Sequence, residues 1–110
     1  MMAENFGFQE MQQNTRELHE KYKDKWRPLS PNIARDKLLW LMVELGEAAD
    51  IIKKDGDREI MGNPAVREHF VEELCDVMMY FNDVMVCYGI SPEELAEVYR
   101  KKHERNMSRW

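Results

Sequence analysis

The sequence predicts an all-α domain, a four-helix bundle-like arrangement completed by oligomerisation. Apolar residues recur at helical spacing in four segments, Pro and Gly punctuate the gaps between them, and nothing alternates at period two for long enough to build a sheet. The 110 residues fit one domain, 1–110, with 44% apolar side chains for a modest core. A chain this short buries a low fraction of its surface, so a homodimer or homotetramer is expected. Nine methionines suit irregular helix–helix packing.

The first helix spans about 8–25, where Phe8, Met11, Leu18 and Tyr22 form a narrow apolar stripe. Trp26-Arg27-Pro28-Leu29-Ser30-Pro31 breaks it, because proline disfavours helix at the residue before it. The second spans about 31 to 54, with Ser30 as N-cap and Pro31 at the first helical position. Its middle, Leu38-Leu39-Trp40-Leu41-Met42-Val43, is apolar over most of the circumference and predicts burial on more than one side. Lys53 and Lys54 suit the negative end of the helix dipole. Asp55-Gly56-Asp57 opens a polar connection that ends near Asn63-Pro64. The third helix, about 65–88, is the most apolar and stops at Gly89. Ser91-Pro92-Glu93-Glu94 is a capping-box pattern that starts the fourth, which runs toward Asn106. Helices two and three are long enough to pack on each other as the centre of the domain.

The net charge is −5 with no basic block, which argues against a nucleic-acid duplex as partner. An acidic protein that handles phosphates needs a cation between them. Cys75 and Cys87 lie twelve residues apart on one helix, about 18 Å, so they cannot pair, and free thiols suit a reducing, cytoplasmic setting. The opening Met-Met-Ala-Glu-Asn has no signal-peptide pattern, and no apolar run is long enough to span a membrane.

Carboxylates interrupt the two most apolar helices. Glu44 and Glu47 sit within Val-Glu-Leu-Gly-Glu-Ala-Ala-Asp, and Glu73 and Asp76 within Val-Glu-Glu-Leu-Cys-Asp-Val-Met-Met-Tyr. Each pair is three residues apart, about 60° round the axis, so two pairs on packed helices can converge. Four nearby anions repel and lose hydration, at a cost of several kcal/mol per buried charge. Cations or protons must offset this. Hard oxygen donors favour Mg2+, with Mn2+ as a substitute, and Mg2+ commonly bridges to substrate phosphates. Glu and Asp on helices are more often solvated faces, and a single pair would mean little. Gly46, between the first pair, costs about 1 kcal/mol against alanine and suggests close approach of a helix or ligand.

Glu44-x-x-Glu47 followed by Glu73-x-x-Asp76 resembles the all-alpha nucleotide pyrophosphohydrolases, the MazG-like group, which also includes dimeric dUTPases and dCTP pyrophosphatases. Lys102-x-x-x-Asn106-x-x-Arg109 is similar to that group's terminal basic motif, so the likeness covers residues 30–109, with 1–29 a variable helix and connection. It implies hydrolysis of a nucleoside triphosphate between the α- and β-phosphates, giving monophosphate and pyrophosphate. Glu44, Glu47, Glu73 and Asp76 would hold the metal, and Glu47 would act as general base. Lys102, Asn106 and Arg109 would bind phosphate oxygens; a solvated helix face explains the same three residues about as well.

Tyr80, one turn after Asp76, and Trp40, one turn before Glu44, are candidates for the same cavity, as is Trp26 for stacking on a base. A tryptophan in an apolar helix is nevertheless more often core. Asn82 and Asp83 are candidates for contacts to sugar, base or a second subunit, and Glu72 for a supporting or solvent-facing position. His19, His69 and His103 share no metal spacing. A non-catalytic nucleotide-binding or adaptor module is the alternative. A di-iron bundle is disfavoured because Glu-x-x-His is absent.

Overall fold

Proline and glycine set the helix limits closely. The computed structural model describes residues 6–110; the opening Met-Met-Ala-Glu-Asn, read above for a leader, lies outside them. Among the described residues every regular element is helical: α1 (Phe8–Lys21), α2 (Pro31–Gly62), α3 (Pro64–Cys87) and α4 (Pro92–Met107).

α1 ends at Lys21, short of the expected Lys25. Tyr22 departs from helical geometry (φ −108, ψ 23), and the Lys25 and Trp26 amides donate back to its carbonyl, each at 2.9 Å. Trp26 then folds onto Tyr22 and His19, with ring centroids 4.8 and 5.0 Å apart. Aromatic stacking within a turn thus replaces the last helical turn that the apolar spacing suggested.

α2 continues past Lys54 to Gly62, so most of the expected polar connection is helical. The break at Asp55-Gly56-Asp57 is nonetheless real. Gly56 takes φ 83, ψ 168, a region reserved for glycine, and joins two helical stretches at a kink. Asn63 then ends one helix and starts the next. Its amide donates to the Glu59 carbonyl at 2.8 Å, and its side-chain oxygen accepts from the Ala65 and Val66 amides at 3.1 and 3.4 Å. Pro64 follows at the first helical position, where its missing N–H costs nothing. Gly89 (φ 66) closes α3, and the Ser91 hydroxyl caps α4 by accepting from the Glu94 amide at 3.1 Å, as the capping pattern predicts.

α2 and α3 pack along their lengths as an antiparallel hairpin, and α1 lies on α3. Ile33, Ala34, Ala48, Ile51 and Ile60 of α2 and Met85 and Cys87 of α3 are buried. α1 is fixed by Phe8 against Phe81, centroids 5.9 Å apart, and by buried Gln12, which donates to the Ile90 carbonyl at 2.9 Å. α4 buries no residue, so one chain does not close a four-helix bundle by itself. The Cα radius of gyration is 16.4 Å, against about 13 Å for a compact domain of this size.

Replacing Gly56 with alanine is expected to lower unfolding stability by about 1–3 kcal/mol, the cost of holding a Cβ in that region. Urea unfolding measures it, and an unchanged midpoint would contradict the strain assigned to the kink.

Candidate metal centre

Glu44 lies on the side of α2 that meets α3, and Glu73 and Asp76 lie one turn apart on the facing side of α3. One carboxylate oxygen from each falls within 4.8 Å of the others. All three residues are partly buried, and the Glu73 side chain is only 16% exposed. Burial pushes the Glu44 carboxyl above its ordinary value, and a hydrogen bond with Glu73 and the charges of Asp76, Glu73 and Glu47 push it further.

The residues suit a hard divalent cation. Three carboxylates converge, and the oxygen Oε2 of Glu73 is buried with no hydrogen-bond partner. A cation accepted there would satisfy that oxygen and offset the mutual repulsion without a proton. His69, set aside in the sequence for want of metal spacing, lies one turn before Glu73, its Nε2 3.6 Å from Glu73 Oε1. Glu47 is exposed and is not part of the 4.8 Å set, although its charge is felt at Glu44. A 60° step round α2 takes its carboxylate to the rim. Glu72 faces solvent.

The cluster borders a cleft of about 1000 Å³ between α1, α2 and α3. Glu44, Asp76, Trp40 and Tyr80 all line it, so the two aromatic residues chosen for their spacing do share the cavity with the acids. Trp26 lines it as well. Trp40 is 55% exposed rather than core. The Lys37 ammonium lies 5.7 Å from the centroid of the Tyr80 ring. The Tyr80 hydroxyl is pushed up by burial, then by Glu44, Asp83 and Asp76.

Lys102, Asn106 and Arg109 are placed elsewhere. None of α4 lines the cleft, and Lys102 and Arg109 instead flank a shallow depression with Arg105. The Oδ1 atom of Asn106 is buried without a partner, and the Arg109 guanidinium stacks 5.2 Å from the Trp110 ring centroid. Within one chain the basic motif and the acidic cluster do not form a common site.

A second polar group lines the same cleft. Asp83, 9% exposed, pairs with Lys37 at 3.4 Å and His19 at 3.7 Å. Burial pushes the Asp83 carboxyl up, opposed by Lys37 and His19. Burial pushes His19 down, opposed by Asp83 and reinforced by Lys37. Asn82, 1% exposed, donates to the Met78 carbonyl at 2.9 Å and faces Met11 of α1. Asn82 and Asp83 therefore have structural partners within the chain. The sequence signal was their place inside an apolar helix; the identity of the partners depended on how three helices pack.

No family model matches the chain, and no curated protein or solved structure matches it. Among the described residues no helix is long and apolar enough to cross a membrane.

The raised Glu44 carboxyl sets a pH dependence. In the folded chain it keeps its proton above its ordinary value of 4.5, while the unfolded chain releases it at that value. The unfolded state then binds fewer protons, so stability falls as pH rises through the window from 4.5 upward to the raised value. In chelator the melting temperature is expected to fall across that window and Mg2+ to raise it at the upper end. Glu44→Gln should flatten both responses, and an equally steep profile in that variant would contradict the assignment.

Proposed function

We propose that this chain is a Mg2+-dependent nucleoside triphosphate pyrophosphohydrolase of the MazG-like kind, yielding monophosphate and pyrophosphate. The observation that carries the reading is the convergence of Glu44, Glu73 and Asp76, with an orphaned buried oxygen, on the border of a cleft large enough for a nucleotide. The likeness of Glu44-x-x-Glu47 and Glu73-x-x-Asp76 to that group supports the choice of substrate.

Glu44, Glu73 and Asp76 would hold the ion. A bound Mg2+ supplies positive charge that offsets the charge of the phosphate oxygens. Glu47, at the rim and outside the tight set, is free to accept a proton from the attacking water as a new oxygen–phosphorus bond forms at the α-phosphorus. The pyrophosphate leaves as the bridging bond breaks. Trp40, Trp26 and Tyr80 offer aromatic faces to a base. Lys102, Asn106 and Arg109 would reach phosphate only across a subunit boundary, since their own chain keeps them away from the cleft. A homo-oligomer, dimeric or tetrameric, belongs to this reading.

Incubation with standard and modified nucleoside triphosphates should release pyrophosphate with Mg2+ or Mn2+ and none in chelator. Glu47→Gln and Asp76→Asn are each expected to lower turnover by at least about 100-fold, the scale of a lost general base or metal ligand, with helicity unchanged. Orthophosphate as the product would overturn α–β cleavage. Metal binding without turnover would favour the nucleotide-binding module instead.

A further inference from the structure

We infer that the second half of α1 is a hinged wall of the cleft, held shut by a charged latch of Asp83, Lys37 and His19, and that a proton taken up by His19 opens it. This goes beyond the hydrolase reading, because it concerns how the cleft is closed and not what it holds.

The latch is unlike the other ion pairs among the described residues. Lys23–Glu20, Lys54–Asp50, His69–Glu73 and Lys101–Glu97 each join side chains three or four residues apart. Asp83 instead meets two other helices, with Lys37 of α2 at 3.4 Å and His19 of α1 at 3.7 Å. The His19 and Asp83 side chains are each 12% exposed and Lys37 is 22% exposed, so the group is largely withdrawn from water.

α1 depends on such a tie. Its first half is anchored by Phe8 on Phe81 and by Gln12 on the Ile90 carbonyl. Beyond buried Thr15, from Arg16 to Lys21, every residue except His19 is exposed. That half nonetheless walls the cleft through Leu18 and His19, and Trp26 extends the wall with its ring edge-on to His19. A swing about Gln12 widens the cleft once His19 lets go, a local opening of a weakly packed segment.

The chemistry of the latch makes it sensitive to one proton. With His19 neutral, Asp83 and Lys37 are a matched pair, and an Nε2 proton can point to Asp83 Oδ1. The Nδ1 atom is buried with no partner. Imidazolium carries a proton on both nitrogens, so protonation leaves a buried donor without an acceptor. It also sets a second cation beside Lys37 against the one charge of Asp83. Lys25 and Arg27 of the connection and Asp36 of α2 line the same cleft, with Tyr80, Glu44 and Asp76 farther along it, and none of these is paired with His19. Burial pushes the imidazole below its ordinary value; Asp83 opposes this and Lys37 adds to it. The closed form therefore binds the proton less readily than the open form, whose imidazole is in water. Closure weakens as pH falls from 6.5 toward the lowered value. Asp83, pushed above 3.8 chiefly by burial, carries a dependence of the opposite sign.

Amide hydrogen exchange of the full chain, corrected for the intrinsic rate at each pH, tests the latch with no readout of hydrolysis. Exchange at residues 16–21 should rise by up to about tenfold per pH unit below 6.5, the slope of a single proton, while buried Met85 and Cys87 of α3 keep their protection. His19→Gln, which keeps a donor for Asp83 and takes up no proton, should remove the rise. Lys37→Met, which leaves Asp83 to His19 alone, should shrink it. His103→Gln, at an exposed position of α4, should leave it unchanged. The His19 imidazole, followed by proton NMR, should titrate below 6.5 in the parent chain and higher in Lys37→Met. An imidazole that titrates at or above 6.5 in the parent, exchange at 16–21 that ignores pH, or a rise that survives His19→Gln would overturn the proposal.

Discussion

The packing of α2 on α3 holds Glu44, Glu73 and Asp76 within 4.8 Å of one another, and much of the remaining structure follows from accommodating that contact. Three carboxylates so close, partly withdrawn from water, are unfavourable unless a proton or a cation joins them. Apolar burial on either side supplies the restraint. Ala48 and Ile51 on α2 and Met85 and Cys87 on α3 are buried and hold the two backbones in place. The Gly56 kink interrupts α2, and Asn63 caps the start of α3 with Pro64 at its first helical position. Burial raises the Glu44 carboxyl, and the hydrogen bond with Glu73 and the neighbouring acidic charges raise it further.

The same hairpin explains why polar residues line the cleft walls. The Lys37–Asp83–His19 group links α2, α3 and α1, the three elements that form the cleft. It fixes α1 over a site whose floor carries the acids, while Gln12 ties α1 to the turn after α3. α4 is outside this framework, and with it the basic motif. The chain thus packs α1, α2 and α3 together beside the acidic cluster and leaves α4 and the outer face of α2 uncovered.

Much of this was legible in the residues. Ser91 and Pro92, Pro64 and Gly89 act through local backbone geometry, and that is why the limits of α3 and α4 could be read directly; at Gly56 the sequence predicted the end of a helix where the structure has a kink. The acids stood out because charges are costly in apolar helices. What spacing concealed depended on tertiary packing. Glu44 and Glu47 look equivalent in sequence, yet α3 meets only one of them closely. The helical stretch after Gly56 was hidden because polar composition reads as loop, although Asn63 completes it with a carbonyl contact to Glu59. Trp26 ended α1 early through stacking on His19 and Tyr22, a cost and gain that periodicity does not register. His19 gained a role from an acid two helices away in sequence.

The central claim is that the facing acids of α2 and α3 bind a divalent cation. Paramagnetic broadening by Mn2+, followed across the backbone amides of the isotopically labelled chain, tests it most directly. The account predicts broadening at low occupancy confined to residues around Glu44, Glu47, Glu73, Asp76 and Tyr80, displaced by excess Mg2+ and lost in Glu73→Gln. Broadening spread equally over the exposed acids of α1 and α4, or undiminished in Glu73→Gln, would contradict it.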